Sequence, residues 1–293
     1  MLTILATVMV ILMIGIYPCL YFYFYHKSAE IEMQRLINNI SAQSKNSREI
    51  IKTLSDWFNK TIDYTSLDDL IFNLQRKFSP CISYPEITFI TRSGRCEEWA
   101  LLYHKLLNMS NISSRIVKLV EDHALVEVYI DGEWLPVEPK NGFSNFEFYK
   151  KWKNVSKAFV CMRKKKIDVT PNYAHTGTLF IKTQRDDKVL PFTQICIYSK
   201  YLMFADPQHY KIPQLVACNK SNDYGMFTEI VGKGIYKITA KKFLNPFVCY
   251  KTEQDNVLIL PNRVNKIVLR LRKENPINCF FSFITSKLRV QNS

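Results

Sequence analysis

The sequence predicts an α+β fold in three parts: an N-terminal transmembrane helix, an α+β domain over residues 27–148, and an antiparallel β-sandwich over residues 171–273. Three patterns carry that prediction. Leu2 to Tyr25 is a run of 24 residues without a charge. Apolar residues recur at helical spacing from Lys27 to about Phe78, and again from Cys96 to Asn108. Beyond Pro171 the chain breaks into short stretches of strand length and strand alternation.

The first segment, residues 1–26, has the length of an anchor. A helix over the uncharged run would be roughly 36 Å long, enough to cross a hydrocarbon core. It closes on Tyr21-Phe22-Tyr23-Phe24-Tyr25, an aromatic cluster suited to the lipid–water boundary. An uncleaved single-pass membrane anchor is expected, with a cleaved signal peptide as the alternative. Lys27, Arg35, Lys45 and Arg48 follow the run, which by charge bias would keep the body in the cytoplasm. Six N-x-[ST] sequons, at Asn39, Asn59, Asn108, Asn111, Asn154 and Asn219, point the other way. The expectation adopted is an extracytoplasmic body.

Within residues 27–148, Ile31, Leu36, Ile37, Ile50, Ile51, Leu54 and Phe58 make a helical stripe. Ser66 reads as the N-cap of a short helix to about Phe78. A loop with Pro80 and Pro85 then leads to Gly94. From Cys96 a second helix is expected, with Trp99, Ala100, Tyr103, Leu106 and Leu107 on its apolar face. Ser114–Val120, His123–Ile130 and Glu133–Glu138 read as strands. Asp131-Gly132 between the last two is a type I′ hairpin turn. Residues 149–170 read as a basic linker: from Lys150 to Lys166 there are eight basic residues and no acidic one. Strands are then expected at 177–182, 194–198, 227–231, 234–240, 247–251, 257–260 and 266–272. The tail, residues 274–293, shows no pattern.

Composition limits the function. The chain has 293 residues and a formal net charge of +14, a balance that favours anionic surfaces. The Lys150–Lys166 stretch is the candidate for such contact. Neither GxGxxG nor GxxxxGK[ST] occurs, and nucleic-acid binding lacks a recognition motif. The eight cysteines show no CxxC or other metal-holding spacing, so no metal or cofactor is expected. With Cys96 set aside and Cys19 in the apolar run, Cys81, Cys161, Cys196, Cys218, Cys249 and Cys279 remain as buried thiols or disulfide partners of open connectivity.

The stretch Arg92-Ser93-Gly94-Arg95-Cys96-Glu97-Glu98-Trp99-Ala100 delivers a cysteine to a helix start. Unpaired N–H groups and the helix dipole favour thiolate there, the reactive form. Glu97 and Glu98 temper that effect. A thiolate nucleophile needs a base. His104 lies eight residues along the same helix, about 12 Å from Cys96 on the axis, so it cannot reach. His26, His175 and His209 lie elsewhere, which leaves His123. If Ile130 and Glu133 flank the turn, paired residues sum to 263 and Leu125 faces Glu138. Glu138 then lies on the His123 face as a diagonal neighbour, able to hold the imidazole tautomer.

Gly-Arg-Cys-Glu-Glu-Trp-Ala at 94–100, Asp-His-Ala-Leu-Val-Glu-Val at 122–128 and Gly-Glu-Trp-Leu-Pro-Val-Glu-Pro at 132–139 together resemble the transglutaminase-like superfamily, most closely its peptide:N-glycanase branch. Trp57-Phe58 and Ile62-Asp63-Tyr64 are similar to the family's lead-in. The resemblance implies a papain-like core and a triad of Cys96, His123 and Glu138, with Glu138 where the family usually has Asp. It implies a cysteine-dependent amide hydrolase working through a thioester on a protein, peptide or glycopeptide. A cross-linking transferase with the same triad, or an inactive binding or surface-structural module, are the alternatives. Residues 177–179 and 234–238 are weakly similar to carboxypeptidase-regulatory-like or transthyretin-like sandwiches.

Overall fold

The computed structural model describes residues 26–64, 85–120, 123–152, 155–162, 165–200 and 214–290. The expected anchor at Leu2–Tyr25 and the expected helix from Ser66 to Phe78 lie outside these. Among the described residues, no helix is long and apolar enough to cross a membrane. The chain divides into two compact units, Met1–Val117 with Ala124–Ser144, and Lys118–His123 with Asn145–Ser293.

The first unit begins with helix α1 (residues 26–43), whose Ala29, Met33, Ile37 and Ile40 form one buried stripe. The helical pattern breaks at residues 44–46. Asn46 caps a new helix, α2 (Ser47–Thr61), its side chain accepting from the Glu49 N–H. A short strand β1 (Asp63–Tyr64) pairs in parallel with β2 (Ser93–Gly94). Between them is helix α3 (Pro85–Thr91), where a loop was expected. Pro85 opens it, a position at which proline's fixed φ and missing N–H do no harm. Helix α4 (Cys96–Met109) follows.

Strands β3 (Ser114–Leu119), β4 (His123–Ile130), β5 (Glu133–Glu138) and β6 (Gly142–Phe143) lie side by side in the order β6-β5-β4-β3. The β4–β5 register is Val126↔Val137 through Ile130↔Glu133, the pairing sum of 263 expected from the turn. Asp131 and Gly132 both have positive φ, 54° and 88°, as a type I′ turn requires. Alternation then divides the hairpin. Ala124, Val126, Val128, Ile130 and Val137 join the three long helices in one apolar cluster. The opposite face carries Glu127, fully buried and held by Arg115 Nε at 2.5 Å, with Arg115 lying 4.0 Å over the Trp134 ring.

In the second unit the expected basic linker is folded. Residues 149–170 contain most of helix α5 (Phe146–Trp152) and the hairpin β7 (Ala158–Met162) and β8 (Lys165–Asp168). Lys157 is not a solvated charge but is 2% exposed, paired to Asp168 at 2.8 Å and to Glu229. After the single turn α6 (Thr170–Tyr173) come two sheets. One contains β9 (Thr176–Arg185), flanked by β10 (Lys188–Val189) and β13 (Met226–Gly232); β16 (Val264–Arg270) joins β9 in parallel, a departure from a purely antiparallel sandwich. The other runs β12-β11-β14-β15-β17, formed by Gln214–Lys220, Gln194–Ser199, Gly234–Asn245, Val248–Ile259 and Arg272–Lys273. Leu179, Ile181 and Leu269 from the first sheet share a core with Ile195, Ile197, Tyr236 and Ile238 from the second. The two short strands expected at 247–251 and 257–260 are one, β15. The residues 274–293, which show no pattern in sequence, supply helix α7 (Pro276–Val290). Disulfides join Cys196 to Cys218 and Cys249 to Cys279; Cys161 stays unbridged.

Tyr103 of α4 is fully buried and donates from its hydroxyl to the Ile51 carbonyl at 2.9 Å, while Ser55 Oγ lies 2.6 Å away. This ties α4 to α2, and burial raises the tyrosine's pKa. Tyr103→Phe keeps the ring but strands both partners in the core. It is expected to destabilise the protein by about 1–3 kcal/mol, measured by urea unfolding; an unchanged midpoint would show that the bonds contribute nothing net.

Candidate active site

Gly94 and Arg95 lead into α4. A Cβ on Gly94 would meet Thr88 Cγ2 at 3.1 Å and Glu98 Cβ and Trp99 Cδ1 at 3.2 Å, so the glycine lets the entering chain pass close to the helix. Arg95 is the N-cap in extended conformation, and its backbone N–H donates to Glu98 Oε2 at 3.1 Å. Glu98 is thus occupied as a capping group rather than projecting as a loose charge beside the sulfur. Cys96 is the first helical residue, half-buried and outside any disulfide. Its N–H is one of those that an α-helix cannot satisfy internally.

Glu138 is the last residue of β5 and His123 the first of β4, so antiparallel pairing sets both at the same end of the hairpin. Both are half-buried. Continued one step past Val126↔Val137, the register sets Leu125 against Glu138, so strand alternation gives His123 and Glu138 the same face. That face is the reverse of the one covered by α4. The end of β5 nonetheless comes to the start of α4 through Lys140, whose Nζ stands 4.6 Å over the ring of Trp99. Cys96 and Glu138 therefore belong to neighbouring ends of elements in one unit, while His123 is the last residue of the short segment grouped with the other.

Sequence reasoning did not find the aromatic surround of the α4 start. Trp99 is flanked by Tyr64 at 5.6 Å and Phe58 at 6.3 Å, both edge-on. Arg92, at φ 56°, lies 4.2 Å over Phe89, and burial lowers its pKa. Among the described residues, Trp99 Nε1 and Arg92 Nη1 are buried donors with no hydrogen-bond partner. The one sequence signal for them is the Trp57-Phe58 and Tyr64 lead-in, which predicts aromatics but not their meeting. For a metal, the described residues offer His26, Glu30 and Glu86, with ligand atoms within 4.8 Å of one another. Lys105 Nζ already bonds both carboxylates, 2.8 Å from Glu30, so an ammonium fills that position.

His104, set aside from catalysis on helical distance, is engaged elsewhere. Its Nδ1 lies 2.8 Å from Ser114 Oγ, Ser114 Oγ donates to Asn108 Oδ1 at 3.3 Å, and Asn108 Nδ2 donates to His104 Nε2 at 3.1 Å. The ring of bonds closes with a neutral imidazole protonated on Nδ1. Burial lowers the His104 pKa below the ordinary histidine value.

Residues 34–139 match the family model of the transglutaminase-like superfamily, and this segment is a transglutaminase-like domain. No curated protein matches the chain. Among solved structures the chain is similar to a candidate cysteine protease from Cytophaga hutchinsonii, at 14% identity over 68% of this chain and 50% of that one, with a TM-score of 0.32. It is similar to the periplasmic domain of TgpA from Pseudomonas aeruginosa, at 18% identity over 37% and 43%, with a TM-score of 0.27. A candidate protease from Parabacteroides distasonis is 10% identical over 85% and 51%, with a TM-score of 0.37. The chain spans about half the length, or less, of these structures.

The lowered His104 pKa gives a pH prediction. A histidine held neutral in the fold supports stability fully above its unfolded pKa, about 6.5, and progressively less as pH falls below it. Wild type is expected to lose stability as pH falls below about 6.5, and His104→Gln to lose less over the same fall. Thermal unfolding across the range measures this; parallel curves would remove His104 from the acid response.

Proposed function

We propose that Cys96, His123 and Glu138 act as nucleophile, general base and orienting carboxylate of a cysteine-dependent amide hydrolase. The observation that carries this reading is the seat of Cys96: an unbridged thiol on the first residue of a helix, within a transglutaminase-like domain. The hairpin register supports the assignment of His123 and Glu138, since it sets the two at one strand end on one face. The contact of Lys140 with Trp99 supports a meeting of that strand end with the helix tip.

In this reading His123 takes the Cys96 proton, and the sulfur attacks an amide carbonyl carbon. The C–N bond breaks, the leaving amine takes the proton from the imidazolium, and a thioester remains. Water then attacks the thioester, giving one proton to His123, which returns it to the departing sulfur. The Cys96 backbone N–H faces the developing oxyanion, and the Trp99 indole N–H, one turn along the helix, is a buried donor without a partner among the described residues. Glu138 replaces the usual aspartate, and its extra methylene asks for a small outward shift of the strand end. That substitution also favours the second reading, a binding module on the same fold. An amine replacing water as acceptor would make the same site a cross-linking transferase. The substrate class proposed is a protein, peptide or glycopeptide.

The body is proposed to lie outside the cytosol, tethered through Leu2–Tyr25. Two disulfides support this, as bonds of oxidising compartments. So does the exposure of Asn39, Asn59, Asn108, Asn111 and Asn219, the sequon asparagines among the described residues.

Cys96 and Cys161 are both half-buried and unbridged, which makes Cys161 an internal control. Iodoacetamide at neutral pH is expected to modify Cys96 roughly tenfold faster or more, read by peptide mass spectrometry, and His123→Ala to erase the difference. Glu138→Asp is expected to retain or raise the rate, and Glu138→Ala to lower it. Equal rates for the two thiols would sink the enzymatic reading and leave the binding module.

A further inference from the structure

Helix α7 turns an apolar stripe to solvent. Ile277, Phe280, Phe281 and Ile284 recur at i, i+3, i+4 and i+7, the spacing of one helical face. All four are exposed, Ile277 at 66% and Phe281 at 64%. The helix is pinned from its other side. Cys279 is fully buried and bridged to Cys249 of β15, and the Phe283 ring packs edge-on against Phe243 of β14 at 5.6 Å. The exposed stripe is therefore the face left over after anchoring. The tip of the β14–β15 hairpin extends it. Phe247 stacks on Phe280 at 5.3 Å and 4° between planes, and Leu244 is 59% exposed beside the turn. Six large apolar side chains thus gather in water, a grouping that monomeric soluble surfaces rarely carry without a partner.

A basic row lies on the sheet beneath the helix. Register pairs Lys241 of β14 with Lys251 of β15, and Lys251 with Arg272 of β17, so three cations stand abreast on one sheet face. Like charges directly opposite one another are destabilising unless something anionic meets them. Among the described residues no carboxylate is ion-paired to any of the three; Glu274 is the acidic group in reach of Lys241. Burial and the neighbouring Lys251 charge lower the Lys241 pKa against that influence. Lys241 Nζ stands 4.8 Å over Phe243, the residue against which α7 packs, so the row lies on the sheet face that carries the helix. From Asn275 to Ser293 the sequence holds Lys287 and Arg289 and no Asp or Glu.

We propose that α7, with the β14–β15 tip, is a docking face for an anionic membrane surface. The apolar stripe enters the boundary between headgroups and acyl chains, and the basic row meets lipid phosphates and carboxylates. A second copy of the chain is the poorer occupant, because it would bring one cationic row against another. The proposal does not depend on the Cys96 site.

The test uses the full chain in lipid nanodiscs of phosphatidylcholine with and without phosphatidylserine, followed by hydrogen exchange of the amides at 276–290 and 244–247. Any anchoring through residues 2–25 is the same on both lipids, so the difference reports this face. Exchange is expected to slow roughly tenfold on the serine lipid, and the effect to vanish with Phe281→Ser or with Lys251→Glu, while exchange in β9 and β11 stays unchanged. Equal exchange on both lipids would overturn the proposal. So would slowing that follows protein concentration rather than lipid charge, which would assign the face to a second copy.

Discussion

The first unit rests on helix α4 lying across the apolar face of the β4–β5 hairpin. Ala100, Tyr103, Leu106 and Leu107 from the helix meet Ala124, Val126, Val128 and Val137 from the strands in one buried cluster, which α1 and α2 close from the far side. Burial of aliphatic side chains at about 25 cal/mol per Å² makes this the dominant favourable term available to the unit. It also fixes the helix axially. Tyr103 bonds to Ile51 and lies beside Ser55 of α2, so the helix cannot slide without stranding buried polar groups. Cys96, two turns before Tyr103, inherits its position from that packing.

The same packing leaves Cys96 half-buried at the tip of α4. A helix tip is where backbone donors lack partners within the helix. Aromatic rings from four segments surround the tip, and the indole N–H of Trp99 and a guanidinium N–H of Arg92, without partners among the described residues, lie among them. The second unit solves a different problem. Its two sheets close over Leu179, Ile181, Ile195, Ile197 and Ile238, and a disulfide then fastens an amphipathic helix whose better apolar face is left in water.

Much of this was legible in the sequence. The Cys96 helix is found within one residue of its expected end, because a glycine entry and a continuous apolar stripe give both a start and a face. The hairpin register followed from Asp131-Gly132 alone, since a two-residue turn fixes every pair beyond it. Other elements were hidden for identifiable reasons. Residues 252–256, Thr-Glu-Gln-Asp-Asn, look like a loop, yet they remain in strand because β14 pairs with most of them and their side chains need no core. The charges of Lys150–Lys166 masked a hairpin, since local composition cannot report that Lys157 finds Asp168 and Glu229. Pro85 read as a loop marker but opens a helix, where its missing N–H is harmless.

By itself the sequence determined what depends on neighbours along the chain: the helix that begins at Cys96, the turn that pairs His123's strand with Glu138's, and the family motifs themselves. Tertiary structure decided what depends on residues far apart. It set Lys140 over Trp99, closed the His104–Asn108–Ser114 ring, chose Cys249 for Cys279, and aligned Lys241, Lys251 and Arg272 across three strands. The division is physical. Helix periodicity and turn stereochemistry act over a few residues, whereas side-chain pairing across elements exists only once the apolar cores have brought those elements together.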